Sequence, residues 1–146
     1  MSGAVRVPLL ATALGIRAAL PLLLWTRPLD AVLRALTPAA APAPPERRTD
    51  ALAEIEAVSD LLTRRLRPTR SACLPRALLR YALLRRAGIA AGFVIGVRPG
   101  GRDGFEAHAW VTVDGHPVME RDPLDYRPTF RWPTHAGLHG LLDIQA

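Results

Sequence analysis

At Gly88 the hydrophobic rhythm of this chain changes, and the change limits what the chain can fold into. Before it, apolar residues recur at helical spacing. Leu52, Ile55, Val58, Leu61 and Leu62 define one face of a helix starting near Thr49. Asp50 and Glu54 suit the positive end of that helix, and Pro68 ends it. A second helix runs from Cys73 to Ala87, with Pro75 in its first turn and Gly88 as its stop. Leu74, Leu78, Tyr81, Ala82 and Leu84 are its core face, while Arg76, Arg80, Arg85 and Arg86 are expected to stay in water. After Gly88 the run Phe93–Val97 is short, continuous and β-branched, as in a buried strand. Arg98–Gly104 reads as a turn and Phe105–Val113 as a second strand. Pro117 to Glu120 reads as a third strand, joined through Asp114-Gly115. Phe130 and Trp132 add a strand or cap the core. Helices first and antiparallel strands second give an α+β domain.

The flanks read differently. Val7–Trp25 is apolar and about long enough to cross a bilayer, but Arg17 sits at its centre and Pro8 and Pro21 interrupt it. A central charge opposes insertion by ~3 kcal/mol. Small residues at Ala39–Ala41 would suit signal cleavage, yet the apolar run lies far from them. The favoured reading is one or two helices, around Leu9–Trp25 and Leu29–Leu36, packed on the domain or on a partner, ahead of membrane association. Pro38–Pro45 is a stiff, extended linker. The expected organisation is therefore helices and linker over 1–45, a folded domain over 46–132 and a tail over 133–146.

Charge and cysteine content narrow the function. The net charge is +6, and all 19 basic residues are arginine. Arg64, Arg65, Arg67 and Arg70 cluster without interleaved aromatic residues, so nucleic-acid binding is not expected. An acidic peptide or protein partner fits the charge better. One cysteine excludes an internal disulfide framework and zinc ribbons, and suits a reducing, cytoplasmic setting. No cofactor or metal pattern is present. His135 and His139 are four apart, but Pro133, Gly137 and Gly140 oppose a helix there and no third ligand accompanies them. His116 falls at the hairpin turn and is expected to be exposed.

The lone Cys73 begins a helix, where backbone dipoles and nearby arginines favour thiolate over thiol. In the second strand, alternation puts His108, Trp110 and Thr112 on one face and Ala107, Ala109 and Val111 on the other. The hairpin decides which residue meets His108. A two-residue Asp-Gly loop pairs Val113 with His116 and sets His108 opposite Arg121. A three-residue loop with Gly115 in the left-handed position pairs Thr112 with His116 and sets His108 opposite Glu120. The three-residue register is preferred, with Asp122 as substitute for Glu120. Cys73 as nucleophile, His108 as base and acid, and a carboxylate orienting the imidazole are the parts of acyl transfer through a thioester. The helix N-terminus offers N–H groups to the oxyanion. Trp110 is expected to pack beneath the site.

At Cys73-Leu-Pro-Arg-Ala-Leu, Leu84-Arg-Arg-Ala-Gly-Ile, Val94-Ile-Gly-Val and Phe105-Glu-Ala-His-Ala-Trp-Val-Thr-Val-Asp-Gly, the chain resembles the transglutaminase-like leader peptidases of lasso-peptide biosynthesis. The resemblance covers about Arg65 to Asp122. It implies a papain- or transglutaminase-like core whose nucleophile, at a helix N-terminus, packs on a small antiparallel sheet. It also implies a cysteine protease that removes the leader from a ribosomal precursor and passes the core peptide to a partner lasso cyclase. The family's nucleophile and base fall on Cys73 and His108. Its third member is usually Asp, and the matching position here is Glu120. Longer members carry a leader-recognition module for which this chain has no space before its linker, so a separate leader-recognition protein is expected. A transglutaminase-like acyltransferase and a non-catalytic membrane-associated adaptor are the other readings.

Overall fold

A computed structural model describes residues 3–65, 72–121 and 124–133. Among them the chain forms α1 (Gly3–Thr26), α2 (Leu29–Ala35), α3 (Pro45–Arg65) and α4 (Cys73–Arg86). The strands β1 (Ala91–Pro99), β2 (Phe105–Val113), β3 (His116–Val118) and β4 (Arg127–Trp132) follow. They pair in the order β3-β2-β1-β4, every neighbour antiparallel. Helices packed on an antiparallel sheet make this an α+β fold. Pro68, Arg67, Arg70, Asp122, His135 and His139 lie outside the described residues.

The centre of the molecule is α4. Ala77 through Leu84 are all buried, because α1 and α3 cover one side of the helix and β1 and β2 the other. Leu78, Leu79, Leu83 and Leu84 keep at most 1% of their surface, and each such burial stabilises the fold by about 2 kcal/mol. Tyr81 meets Phe93 edge-on at 6.4 Å, and Phe93 meets Phe130 the same way at 6.3 Å, joining α4, β1 and β4. The Tyr81 hydroxyl lies 2.6 Å from Thr37 Oγ1, which ties α4 to the end of α2.

Two expectations about helix faces fail. Arg80 is buried, not wet, with 3% of its surface exposed, because a ring of acceptors satisfies its guanidinium. Leu61 lies outside the buried face of α3, at 46% exposure, while Ile55, Val58 and Leu62 are buried. The helix α3 also begins earlier than Thr49, at Pro45, where a missing N–H costs nothing in the first turn.

The N-terminal helices share this core. Ala13, Ile16 and Leu20 of α1 and Val32 and Leu33 of α2 belong to the same cluster as α4 and the sheet. By length and composition Val7–Thr26 is apolar enough to cross a membrane. Its other face leaves Val7, Leu14, Leu22 and Trp25 exposed. The Pro/Ala segment between α2 and α3 is pinned to the end of α4: the Ala43 N–H donates to the Gly88 carbonyl at 2.9 Å.

Candidate active site

Cys73 is the first residue of α4. Ala72 before it offers no side-chain cap and Pro75 has no N–H, so the amides of Cys73 and Leu74 are not consumed by a capping side chain. The half-buried thiol lies in hydrogen-bond reach of the His108 ring and of the Ala109 backbone N–H on β2. The hydrogen bond with His108 pulls the Cys73 pKa down. Burial opposes that pull, while the Ala109 N–H and the charges of His108 and Arg76 add to it.

The imidazole is held from two sides. Its Nε2 lies 3.1 Å from Glu120 Oε2, which leaves Nδ1 as the nitrogen for the thiol. Contact with Cys73 first, and with the Glu120 carboxylate second, pushes the His108 pKa up to about 9 against the effect of burial. Each partner's charge favours the other's, which shifts the pair toward thiolate and imidazolium. Trp110 stacks on the His108 ring at 5.9 Å and 16°, and Tyr126 lies 5.2 Å from it. The strand alternation therefore divides β2: Ala109 and Val111 join the main core, and His108 and Trp110 join an aromatic stack with Tyr126.

Glu120 reaches His108 by a route the three-residue loop did not anticipate. That register is overturned: Val113 pairs with His116, and the loop is the two residues Asp114 and Gly115, with φ of 52° and 79°. Two successive left-handed residues match the right-handed twist of the flanking strands, which favours this loop over a bulged one. A regular continuation would set His108 opposite Arg121. Instead β3 stops at Val118 and Met119 takes a left-handed φ of 60°. That turn brings Glu120 to His108, while Arg121 points to Asp60 at 3.3 Å. Asp122, the alternative third member, lies outside the described residues.

Arg80 secures the turn, and the sequence reading missed it. Its Nη1 donates to the Met119 carbonyl at 2.9 Å, its Nε to Ser59 Oγ at 2.9 Å and its Nη2 to Asp60 Oδ1 at 2.7 Å. The same guanidinium lies 3.9 Å from Glu120 Oε1. Spacing held the clue, since Arg80 is seven residues from Cys73 and two helical turns return to one face. Tyr126 was missed too, and Arg98, which covers the Tyr126 ring at 4.5 Å while bonding Glu106 and Asp125. No periodic pattern marks either residue. A cavity of about 390 Å³ opens beside His108 and Glu120, with Arg76, Arg98, Arg121 and Tyr126 on its walls. Among the described residues no group of three or more His, Cys, Asp or Glu side chains is placed to hold a metal ion.

A thiol at a helix start, an imidazole on the adjoining strand and a carboxylate behind it form the arrangement used for acyl transfer through sulfur. A family model described as the transglutaminase-like superfamily matches residues 14–131, and the chain belongs to that superfamily, in which cysteine protease and acyltransferase activities are common. The match takes in α1 from Leu14 onward and α2 as well as the sheet. No match was found among curated proteins or among solved structures.

Proposed function

We propose that this protein is a cysteine protease that removes the leader from a ribosomally made lasso-peptide precursor, releasing the core peptide to a partner cyclase. The observation that carries the reading is the Cys73–His108–Glu120 arrangement, with His108 raised to about 9 and Cys73 lowered. The motif runs around Cys73 and His108, which resemble the lasso leader peptidases, supply the choice of substrate. A separate leader-recognition protein and a cytoplasmic setting belong to the same reading.

In this reading Cys73 Sγ attacks the scissile carbonyl carbon, and the N–H groups at the start of α4 receive the negative oxygen. His108 passes its proton to the departing amine, the C–N bond breaks and a thioester forms. Water then gives a proton to His108 and its oxygen attacks the thioester carbonyl. The C–S bond breaks and the thiolate returns. Glu120 keeps the imidazole oriented and stabilises its charged form.

The test is mass spectrometry of the precursor encoded beside this protein, after incubation with the protein and its encoded partners. Loss of an N-terminal leader with one water added, absent in Cys73→Ala, is the expected result. Cleavage by Cys73→Ala would sink the reading. A product in which an amine replaces water would move the protein to the acyltransferases.

A further inference from the structure

The cavity beside His108 carries four arginines against two carboxylates, Asp60 and Glu120. Three of the arginines are engaged. Arg80 has Asp60 and Glu120, Arg121 has Asp60, and Arg98 has Glu106 and Asp125. Arg76 is different: among the described residues it has no hydrogen-bond or ion-pair partner. It is half-buried, lines the cavity and follows Cys73 by one helical turn, so both side chains leave the same face of α4. Its charge is felt at the thiol. A half-buried arginine with no carboxylate in ion-pair range among the described residues is a ready partner for a planar carboxylate, which a guanidinium grips with two parallel N–H bonds.

We propose that Arg76 forms a carboxylate subsite, which takes an acidic side chain of the substrate peptide close to the scissile bond. This rests on Cys73 being an acyl-transfer nucleophile. The subsite makes the peptidase selective for an anionic neighbour, through a residue that neither attacks nor transfers a proton.

Cys73 is the only cysteine, so its alkylation is read directly from the mass of the intact protein. Iodoacetate and iodoacetamide are nearly the same size, and both lose iodide as the C–S bond forms, but only the first is an anion. Their rate ratio at one pH cancels any change in thiolate fraction, so it isolates the attraction of the site for a carboxylate. The ratio should fall roughly five-fold in Arg76→Gln, the scale of two unit charges a few ångströms apart in a wetted cleft, and Arg76→Lys should keep most of it. Fast iodoacetamide labelling with an unchanged ratio in Arg76→Gln would overturn the subsite and leave the peptidase standing. Slow labelling by both reagents, as for an ordinary thiol, would remove the peptidase and the subsite with it.

Competition decides where the carboxylate comes from. Blocked, C-amidated pentapeptides with a single Glu should slow iodoacetamide labelling of the wild type more than their Gln counterparts, and should lose that advantage in Arg76→Gln. Protection only by Gln peptides with a free C-terminus would replace the side chain by a terminal carboxylate. Protection by neither would overturn the assignment to a peptide substrate.

Discussion

Arg80 Nη1 donates to the Met119 carbonyl at 2.9 Å, and Met119 is the left-handed residue that turns Glu120 toward His108. A buried arginine on α4 therefore sets the position of a carboxylate on the far side of the hairpin. Its removal takes one donor from the Asp60 carboxylate, which keeps Arg121, and takes the guanidinium away from the Ser59 hydroxyl and the Met119 carbonyl. Arg80→Met should cost about 3 kcal/mol in urea unfolding, the usual penalty for breaking a buried pair on one side. Arg80→Lys keeps the charge but not the three-way fork, so it should cost less stability and still disturb Glu120. The separating measurement is the His108 titration by NMR. It should shift downward in Arg80→Lys if the guanidinium positions Glu120, and stay at the wild-type value if Arg80 serves stability alone.

The His108 pKa of about 9 rests first on Cys73 and second on Glu120. Cys73→Ala should therefore bring the His108 titration down furthest, toward the ordinary value near 6.5, and Glu120→Gln by a smaller step. The folded pKa of His108 lies above its unfolded value, so its stabilising contribution is complete below about 6.5 and fades as pH rises through about 9. Cys73 runs the other way. Its folded pKa is depressed, so its contribution is present above the ordinary thiol value and is lost as pH falls through the folded one. Iodoacetamide labelling should accordingly begin at lower pH than for a free thiol, with a second change near pH 9 as the imidazolium loses its proton. In Glu120→Gln that upper change should move to lower pH.

What the sequence made legible here was local. Cys73 announces itself because a proline and a helix-forming run follow it, and His108 because its strand alternates. Glu120 was reached through a register the hairpin does not use. Counting along strands assumes that a strand continues, and β3 ends at Val118. The turn at Met119 is bonded by Arg80, thirty-nine residues away, and no local pattern encodes such a contact. The charge of Arg80 points to water, while its place on the Cys73 face and its acceptors bury it. The N-terminal apolar run hid its organisation for a different reason. With Val7, Leu14, Leu22 and Trp25 outside and Ala13, Ile16 and Leu20 inside, both faces of α1 are apolar, so hydropathy does not distinguish them.

Gly96 allows the aromatic stack under the imidazole to form. It pairs with His108 across β1 and β2, and the Trp110 ring lies over it. A Cβ at this position would stand 2.7 Å from Trp110 Cη2 and 3.0 Å from the Arg127 carbonyl oxygen on β4. Either the indole or the edge strand must move. Gly96→Ala should cost about 1–3 kcal/mol as an overpacked site, measured by the urea midpoint at unchanged slope. Because Trp110 stacks on His108, the same variant should lower the rate of Cys73 labelling at neutral pH. A destabilised protein with wild-type labelling would show that the stack does not orient the imidazole.

Gly88 tests whether the Pro/Ala segment is part of the fold. Its φ is +78°, and a Cβ there would sit 2.1 Å from the Ala41 carbonyl oxygen and 2.8 Å from the Ala43 nitrogen. Both neighbours are backbone, so no side-chain rotation relieves the clash. Gly88→Ala puts a side chain on a left-handed residue, at about 1–2 kcal/mol, and must also push the segment away and weaken the Ala43–Gly88 hydrogen bond. The loss of stability should exceed about 2 kcal/mol, and limited proteolysis should open the chain between α2 and α3. Gly15 provides the contrast on the exposed side of α1, where an added Cβ meets nothing within 4 Å. Gly15→Ala should stabilise the protein by about 0.5–1 kcal/mol through helix propensity. If both substitutions proved equally mild, the segment would be a tether laid against α4, and α1 and α2 would owe their position to core packing alone.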